Sequence, residues 1–160
     1  MERNYIKKIR SKIGSDHFIH PAARILIENA NGQFLMIKRV DNGKWGIPAG
    51  ALEENETIQQ CIIREVKEET GINIFDPILI GISSNPDREI VFYPNGDQIQ
   101  YFAIEFYCST WNGEIGTNDP KEVSTVKWMD ADYLDLLPYS EASILESWNY
   151  YRQNNQVMVK

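Results

Sequence analysis

The chain has 160 residues, 42% hydrophobic and 24% charged, enough for one domain with a proper core. Its net charge of −7 argues against binding nucleic-acid polymers, which depends on basic surface, but not against small phosphorylated molecules, because bound cations reverse a local field. Two cysteines, Cys61 and Cys108, are too few for a disulfide framework, and there is no signal peptide or apolar run of membrane length, so a cytoplasmic protein with reduced thiols and no membrane partner is expected.

Tyr5 to Ile13 reads as a short basic helix, with Ile6, Ile9 and Ile13 on one side and Gly14-Ser15-Asp16 ending it. Its expected use is packing onto the domain or onto a partner subunit, and a homodimer is possible. His20-Pro21 opens the next element, a strand over Ala22 to Glu28. Asn31-Gly32 predicts a two-residue hairpin turn into a return strand, Phe34 to Arg39. Asp41-Asn42-Gly43 turns again, Trp45-Gly46-Ile47 is a short strand, and Pro48-Ala49-Gly50 leads into a loop.

Thr57 to Thr70 is a helix with both ends marked. Thr57 and Gln60 form a capping box, and Gly71 stands where a left-handed residue ends a helix. Phe75 to Ser83 is extended, and Glu89 to Tyr93 with Gln98 to Cys108 forms a hairpin around Asn95-Gly96, whose Tyr93 to Asp97 tip either lines a binding site or is an ordinary turn with no specific role. Trp111-Asn112-Gly113 turns once more. Thr117 to Glu122 is an acidic loop, and Ser124 to Met129 is a strand with Val126 and Trp128 in period two. Asp130 begins a helical region interrupted at Leu137-Pro138, and Ser140 to Asn154 is a second helix with Ile144, Leu145, Trp148 and Tyr151 on one face. This order predicts a mixed sheet with helices on both faces.

Three carboxylates break the apolar pattern of the first long helix. At about 100° per residue, Glu65 and Glu69 fall in line with Ile58 and Ile62, and Glu68 flanks them. They lie near the helix C-terminus, where the macrodipole disfavours anions by about 0.3–1 kcal/mol each. Arg64 can meet one of them, not three. A hard divalent cation, Mg²⁺ or Mn²⁺, offsets such a cluster. Glu-rich helices are also ordinary solvated faces; what sharpens the signal is the upstream Gly50 and Glu56, which return a fourth carboxylate towards Arg64. The only histidines are His17 and His20, and no P-loop or dinucleotide fingerprint occurs. Carboxylate clusters of this kind serve metal-assisted displacement at phosphorus.

The pattern Gly, five residues, Glu, seven residues, Arg-Glu, an aliphatic residue, any residue, Glu-Glu, any residue, Gly, an aliphatic residue resembles the signature of Nudix hydrolases, MutT-like enzymes acting on nucleoside diphosphates linked to another moiety. Gly50, Glu56, Arg64, Glu65, Val66, Glu68, Glu69, Gly71 and Ile72 match every defined position, and the Trp45 to Gly50 entry is also similar. The resemblance covers roughly residues 21 to 135. It implies an α/β/α sandwich with a central mixed β-sheet over residues 21–160 and a short helical extension at residues 1–20.

It also implies roles. Glu65 and Glu69 are the main metal ligands; Glu68 is a further ligand or handles the attacking water. Glu56 pairs with Arg64 or assists a metal, and the Ala49 carbonyl contributes a ligand. A late-loop acid completes the site: Glu122, with Asp119 and Glu114 as alternatives. Arg39 binds a substrate phosphate or is a surface charge; Trp45 stacks on a base or packs the core. The chain has Pro48-Ala49-Gly50 where many members have Pro-Gly-Gly, a change that a carbonyl ligand tolerates. The substrate is a small nucleotide: ADP-ribose or another nucleotide sugar, a nucleoside triphosphate or a dinucleoside polyphosphate. A nucleotide-sensing module without catalysis is the other class. The complete set of box glutamates favours the hydrolase.

Overall fold

A computed structural model describes residues 4–160. In chain order they form α1 (Tyr5–Ile13), β1 (Phe18–Ile27), β2 (Phe34–Arg39), β3 (Trp45–Gly46), β4 (Ala49–Ala51), α2 (Ile58–Thr70), β5 (Asn73–Ile74), β6 (Ile78–Ser83), α3 (Pro86–Glu89), β7 (Ile90–Phe92), β8 (Gln98–Cys108), β9 (Trp111–Asn112), β10 (Val123–Met129), a 3₁₀ segment (Ala131–Leu136), α4 (Tyr139–Ala142), α5 (Ile144–Asn154) and β11 (Met158–Val159).

The main sheet is six-stranded and mixed, in the order β11-β6-β8-β1-β4 with β7 also on β8. Its centre is the parallel pair β1–β8, running from Phe18 opposite Ile99 to Ile27 opposite Cys108. Successive side chains of a strand face opposite ways, and β1 is buried on both sides. Ala23, Ile25 and Ile27 join Ile62 and Val66 of α2 in one core. Leu26 joins Ile80, Tyr107 and Ile144 in the other, which α5 covers with Leu145, Trp148 and Tyr151. The Tyr107 and Trp148 rings stack there at 3.6 Å. The result is the expected α/β/α sandwich, with α2 and α5 on opposite faces. Cys61 and Cys108 are buried and free. No described helix is long and apolar enough to cross a membrane.

Several elements differ from the expectations. The first strand starts at Phe18 and runs through Pro21, because the Pro21 carbonyl accepts from Leu52 N–H and its missing N–H faces that same margin, not the β8 ladder. The Asn31-Gly32 turn does not join a paired hairpin. After a single bridge between Glu28 and Phe34, β2 leaves to form a three-stranded sheet, β10-β2-β3. Ala49 to Ala51, read as loop, is a strand paired antiparallel to β1. The last helix is broken at Ser143, whose carbonyl accepts from Glu146 N–H three residues on and from Lys160 Nζ, a 3₁₀-like step. The short α3, β5, β9 and β11 were unread.

The α1 helix lies against the domain through polar ties. Tyr5 N–H donates to Glu53 Oε2 at 2.8 Å, Lys8 pairs with Glu54 at 2.7 Å, and Arg10 donates to the Gln98 carbonyl at 3.0 Å. It therefore spans from the loop before α2 to the β7–β8 hairpin.

Candidate functional site

The site is built on α2 and β4. Both bonds of the Thr57–Gln60 capping box form, at 3.1 and 2.8 Å, fixing the helix start. Gly71 closes it at φ 79°, and a Cβ there would stand 2.3 Å from the Gly116 carbonyl oxygen, so conformation and space both demand glycine. Gly50 is fixed by close approach alone: a Cβ would stand 2.0 Å from Glu65 Cδ. The first glycine of the box exists so that Glu65 can lie flat against β4.

Arg64 ties the acids together. Its Nε and Nη2 donate to the two oxygens of Glu56 at 3.0 and 2.7 Å, a bidentate pair. Its Nη1 reaches Glu65 at 2.6 Å and Glu68 at 3.3 Å, and Nη2 also donates to the Ala51 carbonyl. Glu53 N–H donates to Glu56 Oε1 at 2.9 Å, so the Glu56 carboxylate is held from both the loop and the helix. Glu69 is only 6% exposed and accepts from Ala49 N–H at 3.1 Å. Glu68 is exposed. Among the described residues no three acid, histidine or cysteine side chains are gathered at ion-ligating separations. Each box carboxylate is turned to a protein partner.

Electrostatics mark these acids as strained. Burial pushes Glu65 up to about 7 against the pull of Arg64, and the charges of Glu68 and Glu122 add to the rise. Burial also holds Glu69 well above the usual carboxylate range, with Glu65 and Glu122 adding and Arg39 opposing. Glu122 is raised by partial burial and then by Asp119 and Glu68. Glu56 goes the other way, because its bonds to Arg64 and Glu53 N–H outweigh burial. Glu65, Glu68, Glu69 and Glu122 thus form one repelling set.

Two clefts meet at β4. One, of about 310 Å³, is lined by Arg24, Arg39, Asp41, Glu89, Glu141 and others. The second, of about 890 Å³, is lined by Arg64, Glu65, Glu68, Asp119, Lys121 and Glu122, with Asn4 and Ile6 on its outer wall. Ala49, Gly50, Ala51, Tyr93 and Tyr101 border both. Tyr93 and Tyr101 share a hydroxyl–hydroxyl bond of 2.6 Å.

The placement of the expected residues follows. Glu122 and Asp119 stand at the carboxylate cleft. Glu114 lines neither cleft; its backbone carbonyl lies beside Gly71. Arg39 lines the smaller cleft and pairs with Glu141. Trp45 borders neither cleft and packs against the α5-side core, with Lys38 over its ring. Tyr93, at one end of the hairpin turn, lines both clefts. Arg24, Glu89, Tyr101 and Glu141 were missed. They come together from four separate segments, and no local pattern announces them.

The raised acids predict a pH effect on ion-free protein. Between about 4.5 and 7 folded Glu65 keeps a proton that the unfolded chain has released, so stability falls as pH rises through that window. A pKa raised from 4.5 to about 7 corresponds to a loss of roughly 3 kcal/mol. Glu69 acts with the same sign. In chelator-treated protein the melting temperature should fall from pH 5 to pH 8, and Glu65→Gln should flatten the fall. Equal slopes for the two proteins would refute it.

The chain matches a family model described as the NUDIX domain over residues 18–148. It is 31% identical to a Methanocaldococcus jannaschii protein named ADP-ribose pyrophosphatase, over 96% of this chain and 88% of that one. It is 35% identical to a MutT-like protein of Streptomyces ambofaciens, over 67% of this chain and 61% of the relative. Among solved structures, the MutT protein of Methanosarcina mazei Go1 aligns at a TM-score of 0.66 with 23% identity, covering 88% of this chain and 99% of that one, a likeness of fold.

Proposed function

We propose, from the premise that this chain belongs to the Nudix hydrolase family, that it uses Mg²⁺ or Mn²⁺ to hydrolyse the pyrophosphate of a nucleoside diphosphate linked to a second moiety, of the ADP-ribose or nucleotide-sugar type. It is a hydrolase of phosphorus-containing anhydrides. The observation that carries the substrate class is the meeting of two clefts at β4, beside the carboxylates. A two-armed substrate fills both, with its pyrophosphate at the join; a nucleoside triphosphate has only one arm. The name of the Methanocaldococcus relative supports the same class. A lost box carboxylate would favour the sensing alternative, and this chain keeps Glu56, Glu65, Glu68 and Glu69.

The donor set fits a hard divalent cation. It is all oxygen, it repels itself, and the missing Cβ of Gly50 opens the wall on which Glu65 lies. Glu65, Glu69, Glu68, Glu122 and the Ala49 carbonyl would hold it, with Glu65 turning from Arg64. The bound ion would neutralise the pyrophosphate oxygens and lower the pKa of a water.

The protein supplies the rest. Glu68, exposed at the cleft, orients the attacking water and takes its proton. Arg64, locked to Glu56, holds the loop–helix junction so that Glu65 keeps its place. Arg39 donates to a phosphate oxygen. Within the proposed extension, residues 1–20, Asn4 and Ile6 line the larger cleft, and β1 crosses its join to the domain at residue 21. The proposed compartment is the cytoplasm. The test is a panel of ADP-ribose, nucleotide sugars, nucleoside triphosphates and dinucleoside polyphosphates with either metal, reading released phosphate after phosphatase treatment. ADP-ribose or a nucleotide sugar should be cleaved fastest. Faster cleavage of triphosphates would overturn the two-arm assignment; no cleavage, with tight binding, would overturn the hydrolase.

A further inference from the structure

We propose that Glu141 is a positioning residue: it holds the Arg39 guanidinium at the substrate phosphate and keeps it off the ion-binding carboxylates. The proposal rests on the reading that the two clefts take the substrate. Glu141 sits on α4, 102 residues along the chain from Arg39, and is 9% exposed. One of its oxygens accepts from Arg39 Nη2, and the other accepts from Ile47 N–H at 3.3 Å. The carboxylate is therefore fixed by the backbone after β3 on one side and faces Arg39 on the other.

Room for the pair is made by Gly46. A Cβ there would stand 2.5 Å from Arg39 Nη1 and 2.8 Å from Glu141 Oε2. The glycine of the Trp-Gly entry thus serves this ion pair. Arg39 Nη1 is buried and has no hydrogen-bond partner among the described residues. A buried guanidinium N–H left unpaired is costly, and Arg39 lines the smaller cleft, where a phosphate oxygen would add an acceptor for its guanidinium.

Arg39 has rival anions. Its charge acts on Glu69 and Glu122 as well as on Glu141. With Glu141 removed, the anions left to draw Arg39 include the carboxylate set itself, and a guanidinium bound there competes with the divalent ion. Glu141 therefore acts through Arg39 on two quantities, substrate affinity and ion affinity.

That double action gives a pattern no merely structural residue produces. Glu141→Ala should raise KM for ADP-ribose, or for the panel's fastest substrate, by about tenfold, the size expected when one charged hydrogen bond is lost. Turnover should move little, because a grip on a non-reacting oxygen is equal in ground and transition states. The Mg²⁺ or Mn²⁺ concentration at half-saturation, read by calorimetry with the metal alone, should rise by a similar factor. Arg39→Ala should raise KM without raising the ion requirement. In the double variant KM should equal that of Arg39→Ala, and the ion requirement should return to the wild-type value. Glu141→Gln, which keeps the volume, should shift both quantities the same way by less, and it stands in if the alanine variant does not fold. Unchanged KM and ion affinity in Glu141→Gln and Glu141→Ala, or losses that add to those of Arg39→Ala, would overturn the proposal. If the wild type cleaves nothing, the hydrolase assignment fails by itself, and the calorimetric arm still decides the role of Glu141.

Discussion

Replacing Glu69 by glutamine should lower turnover on the order of 10²-fold or more, the loss of roughly 2.7–4 kcal/mol typical of removing one strong electrostatic stabiliser. Glutamine keeps the shape and can still accept from Ala49 N–H. What it removes is an acid set beside Glu65 and Glu122, and with it one of the proposed anionic ligands. The ligands act mainly where charge grows on the bridging and leaving oxygens, so turnover should fall much more than KM rises. Glu65→Gln should behave alike. Both variants should be more stable than wild type without the ion at pH 8, because each removes a buried acid whose ionisation folding disfavours, and both should lose most of the melting-temperature gain that the ion gives. Glu54→Gln is the control, since Glu54 makes only a surface pair with Lys8. Glu53 would not serve as a control, because its carboxylate accepts from Tyr5 N–H. Turnover of Glu69→Gln within tenfold of wild type would remove Glu69 from the ion site.

What could be read in advance was local. The ends of α2 follow from Thr57, Gln60 and Gly71, each within one turn of its partner. The Glu65, Glu68 and Glu69 set follows from helical spacing, and the structure adds why Gly50 must lack a side chain. What could not be read is long-range. Ala49-Gly50-Ala51 has no strand character of its own and becomes one only because β1 presents an open edge. Pro21 hid four residues of β1, since the margin its missing N–H faces is decided by the fold. Glu122 was expected as the late-loop acid that the resemblance implies, and the acidic loop places it on the lining of the larger cleft. Glu141 carried no such cue: it sits in a short helix beside a serine, and its partner is a strand-end arginine. Helix and hairpin signals fix the scaffold, but the polar floor of a cleft is assembled from many segments and is silent in any one of them.

That floor carries the second large effect. Arg24, 5% exposed, donates to Glu105 at 3.0 Å and to both oxygens of Glu89 at 3.2 and 2.8 Å. Ser83 donates to Glu89, Ser147 donates to Glu105, and Lys160 Nζ pairs with Glu105 at 3.1 Å. Gly81 gives way to this group, because a Cβ there would stand 2.4 Å from Ser147 Oγ and 2.5 Å from Glu105 Oε1. Two cations and two anions balance inside the protein, directly beneath the smaller cleft. Arg24→Met removes one cation and leaves Glu89 and Glu105 buried with too little compensation. Breaking one side of a buried pair costs about 3–5 kcal/mol, which for a domain of this size is roughly 6–20 °C in melting temperature. Adding Glu89→Gln and Glu105→Gln to Arg24→Met should restore much of the loss, since neutralising both anions together with Arg24 leaves only Lys160 charged, which is cheaper than leaving two buried carboxylates short of a cation. Lys160→Ala should cost less than Arg24→Met, because Glu105 keeps Arg24 and Ser147. Thermal melts of the wild type and these three variants at pH 7 measure this. A single Arg24→Met variant within about 1 kcal/mol of wild type would mean that the ion network does not hold the floor of the cleft.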